Sequence, residues 1–287
     1  MRLAHLHIPN ITPFARVSHL QETLTTRLLA HKKALPGINQ HHQPDPTIIT
    51  FTPNPVYTTG RRDMPPSNTC ANGSSGGVLS LPASVEPIRS LLSDPSNSGN
   101  KNGASAVAEY HPTLRGGQTT YHGPGQMVAY TVLDLRQLGL SPRCHIRVLE
   151  NSVVDVLRGY GVEGVITEDP GVWVPSKKGS GIDGAKKITA VGVHLRRNIS
   201  SFGIGFNVTE EPMWFFRQIV ACGLEGKEAT SLEGQGVKVQ DGVKEVAEKF
   251  VQAFTSRINA DFACGGGASG ERIDEVYSAT EEDLLRS

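Results

Sequence analysis

RGGQTTYHGPGQMVAYTVLDLR, residues 115–136, passes from a loop crowded with glycine into a stretch of strand-forming chain. The second half, Met127 to Leu135, is rich in β-branched and aromatic residues, which pack well on a pleated surface, and it reads as a strand. The first half carries Gly116, Gly117, Gly123 and Gly125, which let the backbone bend sharply and approach a ligand closely. Arg115, Gln118, Thr119, Thr120, Tyr121, His122 and Gln126 add donors, acceptors and a ring. Such a loop suits a carbonyl or amide held against backbone N–H groups. It equally suits a multi-turn surface loop whose polar side chains satisfy its own backbone. Neither GxxxxGK[ST] nor GxGxxG occurs in this loop, which argues against a phosphate cradle there.

Working outward, Ser141-Pro142 opens a helix with proline in its first position, and Ile146, Leu149, Val153 and Leu157 form its apolar face until Gly159 and Gly161 stop it. Short strands follow at 171–174 (GVWV), 187–195 (KITAVGVHL) and 203–208 (GIGFNV), with a polar loop at 177–185 between the first two. A short helix near Met213 to Ile219 leads to Cys222, and Asp241 caps a last helix carrying Val243, Val246, Phe250 and Phe254. Upstream, Thr47 to Phe51 is a buried strand, and a first helix is expected with Ser18 as cap and Gln21 completing a capping box. Leu3 to Ile8 reads as a first strand, although an acid-poor segment with Arg2 and Arg16 equally fits a targeting presequence. Helices and strands mix without regular βαβ alternation, which predicts an α+β fold.

Residues 64–105 are dominated by Pro, Ser, Asn and Gly and read as a low-complexity surface insert with one short helix, because they offer little apolar surface against the entropy of ordering. The expected organisation is a single catalytic domain over 1–262 and a mobile tail over 263–287. Across all 287 residues, 38% are hydrophobic and 20% charged, enough for a packed core. Lys plus Arg (28) equals Asp plus Glu (28), which argues against a nucleic-acid binder. No apolar run approaches the ~20 residues of a membrane span. Cys70, Cys144, Cys222 and Cys264 form no CxxC pair, so thiols rather than disulfides or a metal site are expected.

Two further residues carry potential chemistry. Cys222 follows an apolar helical stretch and precedes Gly223, a place where a thiol meets substrate if a cation or base lowers its pKa; a small buried hydrophobe fits the same pattern. Lys187 begins the apolar run ITAVGV, where partial desolvation would make it a usable base, while a solvated ammonium at the end of a polar loop reads as well. Their separation in the chain does not show that they meet.

The segments PNPVYTTGRR (53–62), RGGQTTYHGPGQMVAYTVLDLR, PGVWV, KKITAVGVHL, FGIGFNV and CGLEGKEATSL together resemble the lipoyl(octanoyl) transferase family, in a eukaryotic, fungal-like form. The resemblance covers the chain from about residue 47 to 232 and keeps the blocks in order. It implies a mixed β-sheet flanked by helices, as in the biotin and lipoate protein ligases. It also implies a Cys-Lys dyad: Cys222 takes octanoyl from acyl carrier protein as a thioester, and Lys187 lowers the thiol pKa and moves the proton. Arg115, Gly116, Gly117, Gln118, Thr119, Thr120, Tyr121, His122, Ala190, Val191, Gly192, Gly203, Ile204 and Gly205 would line the acyl pocket.

The acceptor would be the lysine of a lipoyl domain, such as glycine cleavage H protein or a 2-oxoacid dehydrogenase E2 subunit, with no cofactor, no metal and no nucleic acid. The resemblance further implies a monomer in mitochondria, or in the cytoplasm of a bacterium. Three positions depart from the family pattern: Thr52-Pro53-Asn54 stands for Glu-His-Pro, Phe202 for His, and Ala221 for Pro. An ATP-dependent lipoate or biotin ligase and an inactive carrier-protein-binding module are the alternative readings. The first would require ATP. The second would have no need of Cys222 and Lys187.

Overall fold

The computed structural model describes residues 1–33, 44–64, 80–93, 107–176, 184–223 (backbone alone at Cys222), 226–260 and 270–286. In chain order the strands are β1 (Arg2–Thr12), β2 (Thr47–Pro53), β3 (Val56–Thr59), β4 (Leu92–Ser93), β5 (Ala108–Pro112), β6 (Thr120–His122), β7 (Gln126–Asp134), β8 (Val165–Ile166), β9 (Val172–Val174), β10 (Lys186–Arg196), β11 (Ile199–Asn207) and β12 (Glu275–Ser278). The helices are α1 (Phe14–Lys33), α2 (Pro142–Gly159), α3 (Glu211–Phe216), α4 (Gly242–Ala260) and α5 (Glu281–Arg286).

β7 sits inside an eight-stranded sheet ordered β12-β1-β2-β7-β11-β10-β9-β8. Its continuous apolar run reflects burial on both faces. Met127, Ala129 and Leu133 enter the core shared with α2 and α4, while Val128, Tyr130 and Val132 enter the core shared with α1. The sheet is mixed: β12-β1-β2 run parallel and the remaining pairings are antiparallel. A second, four-stranded sheet is ordered β4-β5-β3-β6. The α+β expectation and the mixed sheet flanked by helices describe this architecture.

Three local expectations are corrected. Helix α1 starts at Phe14, before the Ser18 cap, because Asn54 Oδ1 accepts the Phe14 N–H at 2.9 Å and Phe14 is buried. Gln21 is then no capping-box partner. It is buried in mid-helix and its Oε1 accepts the N–H of Phe202 at 2.9 Å. Leu20, Leu24 and Leu28 do face the core, each worth about 1.5–3 kcal/mol of burial.

The tail is the second correction. The described residues 270–286 are docked, with β12 parallel to β1 and Leu284 of α5 in the α1 core. An edge strand with open N–H and C=O groups accepts such pairing, and the hydrophobic pattern of so short a strand is too weak to announce it.

The third concerns the insert. Leu81, Val85 and Ile88 are buried with Tyr57, Tyr110 and Tyr121, a 3-10 helix spans Glu86–Leu91, and β4 extends the small sheet. Leu81, Val85 and Ile88 therefore complete a core rather than lie on the surface. Residues 65–79 and 94–106, Cys70 among them, lie outside the described residues, as do Cys264 and the loop at 177–183.

Candidate functional site

The glycine-rich loop is anchored on both sheets. Gly116 N–H donates to the Val193 carbonyl on β10 at 2.9 Å. Arg61 N–H donates to the Arg115 carbonyl at 3.0 Å, tying the PNPVYTTGRR segment to the RGG turn. Gly192 faces this crossing: a Cβ there would lie 3.1 Å from the Gly116 carbonyl oxygen. The Arg115 side chain is buried and serves as the loop's internal scaffold. Its Nη2 donates to the Thr58 carbonyl at 2.9 Å, to Thr58 Oγ1 at 3.0 Å and to the Gln118 carbonyl at 2.9 Å, and Nη1 donates to the Gly116 carbonyl at 3.1 Å.

Beside the loop opens a cavity of 420 Å³. Of the residues expected on its wall, Arg115, Gly116, Gly117, Gln118, Thr120, His122, Ala190, Val191, Gly192, Gly203, Ile204 and Gly205 line it. Thr119 and Tyr121 do not: alternation in β6 sends Tyr121 to the face opposite Thr120 and His122, and Thr119, just before the strand, is turned to Asp63. Thr119 donates through its N–H and Oγ1 to Asp63 Oδ2, both at 2.8 Å. Tyr121 stacks on Phe215 with centroids 4.1 Å apart and meets Tyr57 edge-on.

His122 is held by a relay that fixes its tautomer. Asn207 Nδ2 donates to the Thr230 carbonyl at 2.9 Å, which leaves its Oδ1 to accept from Gln126 Nε2 at 2.7 Å. Gln126 Oε1 is then the acceptor toward His122, at 3.1 Å, so the proton of the neutral ring resides on Nδ1. Burial first, then the charge of Arg115, pushes the His122 pKa down to about 4, against the opposing effect of its hydrogen bond to Gln126 Oε1. Gly205 gives the ring its room, since a Cβ there would fall 2.7 Å from His122 Cε1.

Lys187 lies on β10 opposite Trp173 of β9. Its Nζ donates to the Pro170 carbonyl at 3.0 Å and lies 4.6 Å from the Trp173 ring centre, a cation–π contact. Next to it, buried Glu150 accepts the Gly171 N–H at 2.9 Å, bracing the 169–171 turn that receives the ammonium. Cys222 belongs to the 3-10 turn Ala221–Gly223; its thiol lies outside what the structure describes. Gly223 lines the 420 Å³ cavity, and Ala221 lines a second cavity of 450 Å³. Lys187 lines both. The chain on either side of Cys222 is thus brought to the cavities that Lys187 faces.

A family description of the lipoyl protein ligase A/B catalytic domain matches residues 100–255. A Schizosaccharomyces pombe protein named probable octanoyltransferase is 35% identical over 229 residues, 79% of this chain and 83% of its own. The chain belongs to the lipoyl protein ligase A/B catalytic-domain family. A Danio rerio protein named octanoyl-[acyl-carrier-protein]:protein N-octanoyltransferase LIPT2, mitochondrial, is 30% identical over 223 residues, 78% of this chain and 82% of its own. Among solved structures, the bipartite lipoate protein ligase of Thermoplasma acidophilum shares the fold at TM-score 0.56 and 15% identity, with 99% of this chain and 90% of that chain aligned.

Within this family fold, two of the three departures find local explanations, and nothing in the structure explains Ala221. Phe202 adopts a left-handed backbone (φ 61) inside β11, unusual for an aromatic residue. The break in alternation turns its ring onto Tyr130 on the α1 side, while Ile204 and Phe206 face α2 and α4. The buried Gln21 acceptor compensates the strain. Asn54, in the divergent Thr52-Pro53-Asn54 stretch, is the residue that starts α1.

The cavity also recruits residues that no motif announced. Tyr130, Ile146, Val193 and Phe202 supply apolar wall, and Arg62, Asp169 and Pro170 stand beside the loop. Ile146 sits on the apolar face of α2, where lining a cavity and packing in a core leave the same periodic signature. Among the described residues no cluster of three or more His, Cys, Asp or Glu is placed to hold a metal ion, and no helix is long and apolar enough to cross a membrane.

The histidines make stability depend on pH. Burial pushes His122 and His145 down to about 4, and burial together with His7 does the same for His5. Their pKa values in the unfolded chain are near 6.5. Between roughly pH 6.5 and 4 the unfolded chain therefore binds more protons, so the stabilisation present above pH 6.5 is lost as pH falls toward 4. The urea midpoint is expected to fall steadily from pH 7 to 4.5, and the slope to be shallower in His122→Gln. A midpoint independent of pH over that window would contradict the neutral-histidine assignment.

Proposed function

We propose that this chain is an acyltransferase that moves octanoyl from octanoyl-acyl carrier protein to the lysine of a lipoyl domain, through a thioester on Cys222. One observation carries the mechanism: two cavities meet at Lys187, and residues adjoining Cys222 line each of them. The names of the S. pombe and D. rerio relatives support the acyl group and the type of reaction.

In the first half-reaction the Cys222 sulfur attacks the thioester carbonyl, the bond to the carrier's sulfur breaks, and the leaving thiolate takes the proton that Cys222 passed to Lys187. In the second, the acceptor amine attacks the Cys222 thioester, the C–S bond breaks, and the proton lost by the amine returns to sulfur by way of Lys187. Exchange of one thioester for another is nearly balanced in free energy and amide formation runs downhill, so the reaction needs no ATP. Proton transfer by a placed lysine contributes about 10²–10⁴-fold. The Pro170 carbonyl and the Trp173 ring hold the ammonium in position for it.

Octanoyl occupies the 420 Å³ cavity, where Tyr130, Ile146, Val191, Val193, Phe202 and Ile204 offer apolar surface at ~0.8 kcal/mol per buried methylene. His122, neutral and hydrogen-bonded through Nδ1, adds no charge of its own to that wall. The acceptors are lipoyl-domain proteins such as glycine cleavage H protein or E2 subunits, the enzyme acts as a monomer built on one catalytic domain that includes the docked 270–286 segment, and it works in mitochondria.

The test is to mix the purified chain with octanoyl-acyl carrier protein and a lipoyl domain without ATP, following the intact mass of each. A transient octanoyl adduct on the enzyme, followed by octanoyl on the domain, is the expected result. Modification only after ATP is added would place the chain with the ligases. Carrier binding without transfer under either condition would leave it a binding module.

A further inference from the structure

A thioester extends in two directions from its carbonyl carbon: the acyl chain on one side, the sulfur and its carrier arm on the other. The 420 Å³ cavity accounts for only one of these. The second cavity, of 450 Å³, shares Thr120, Lys187, Ala190 and Gly205 with the first, so the two join at the lysine. If octanoyl fills the first with its carbonyl at Lys187, the sulfur must point into the second. We infer that the second cavity binds the 4′-phosphopantetheine arm of the donor, with Arg217 and Lys227 receiving its phosphate. This inference rests on the acyl-transfer reading above.

The lining fits that molecule. Near the junction, Thr230 and Gln235 present a hydroxyl and an amide beside Asn207, whose own amide is committed to Gln126 and the Thr230 carbonyl, where the arm carries two amides and a hydroxyl. Their mutual bonds, Asn207 Nδ2 to the Thr230 carbonyl at 2.9 Å and Gln235 Nε2 to Thr230 Oγ1 at 2.8 Å, hold these groups in place. Trp173, Ile219 and Val220 supply apolar surface for the dimethyl-bearing segment of the arm. The first cavity has polar residues of the glycine-rich loop on one side, and on the other Tyr130, Ile146, Val191, Val193, Phe202 and Ile204 give it an apolar wall on which a hydrocarbon chain can lie.

Charge gives the direction of the arm. Lys186, Lys187, Arg217 and Lys227 line the cavity against Glu210 and Glu228. Both carboxylates have partners: Ser231 Oγ donates to Glu210, and Lys186 pairs with Glu228 at 2.6 Å. Lys187 is engaged at the junction. Arg217 and Lys227 are exposed, and among the described residues neither is in an ion pair. They mark the solvent end, where the phosphate of a carrier-borne arm would arrive.

The experiment uses the full chain and two unreactive donors: the octanoyl thioether of 4′-phosphopantetheine and the same thioether lacking the phosphate. Titration calorimetry compares wild type with the double variant Arg217→Glu/Lys227→Glu; both positions are exposed, so an unchanged melting temperature is expected. Wild type should bind the phosphorylated thioether tighter on the order of tenfold, and the variant should lose that preference while binding the other thioether as wild type does. Equal wild-type affinity for both thioethers, or an equal loss of both in the variant, would overturn the assignment. Failure of wild type to turn over octanoyl-acyl carrier protein without ATP would instead sink the acyl-transfer reading, with the thioether comparison still deciding the cavity.

Discussion

Replacing Cys222 by Ser is expected to abolish the hydroxylamine-sensitive octanoyl adduct and to lower transfer to the lipoyl domain by about 10⁴-fold or more, because an alcohol near neutral pH supplies almost no anionic nucleophile. Lys187→Ala should behave differently. An ordinary thiol, with pKa ~8.5, is a few per cent thiolate at neutral pH, so the variant retains slow acylation. Its rate should be roughly 10²–10⁴-fold down at pH 7 and should recover in part toward pH 9, as the thiol ionises without help. Lys187→Arg should not restore the rate, since a guanidinium does not give up its proton in this range. Stopped-flow acylation read by intact mass resolves all of these. An undiminished adduct in Cys222→Ser would move the nucleophile elsewhere, and wild-type rates in Lys187→Ala would remove the lysine from the chemistry.

The second large effect concerns stability. Arg115 is buried, and its guanidinium holds the carbonyls of Thr58, Gly116 and Gln118 together with Thr58 Oγ1. Arg115→Met keeps an apolar stem and leaves those acceptors without their donor. The expected cost is about 3 kcal/mol, set by unpaired buried oxygens rather than by lost packing. For a chain of this length that corresponds to a melting temperature lower by roughly 6–10 °C. Arg115→Lys should recover only part of it, since an ammonium cannot span the same fork of acceptors. The pKa of His122 should rise in Arg115→Met, because one of the two causes that depress it is gone. Differential scanning calorimetry and a histidine NMR titration measure both. A melting temperature within ~2 °C of wild type would show that the loop does not depend on this side chain.

The sequence by itself determined the elements that carry a long periodic signal. MVAYTVLDL reads as a strand, and it is the doubly buried β7. Ser141 caps α2, its hydroxyl accepting the Cys144 N–H at 3.2 Å, and Val246, Phe250 and Phe254 of α4 face inward. The family was also legible, since loops that must approach a ligand leave glycines and polar residues in an order that packing alone does not require.

Tertiary structure decided what depends on partners distant in the chain. Whether Tyr121 faces the cavity turned on how β6 pairs with β3, and whether Thr119 does turned on its bonds to Asp63. The start of α1 turned on Asn54, forty residues away, and the tautomer of His122 on the Thr230 carbonyl. The fate of the C-terminal strand turned on an edge that β1 left open. In each case the deciding term is one hydrogen bond or one strand register between segments far apart in sequence. Local propensity contains no information about either, because the energy resides in the pair and not in the residue.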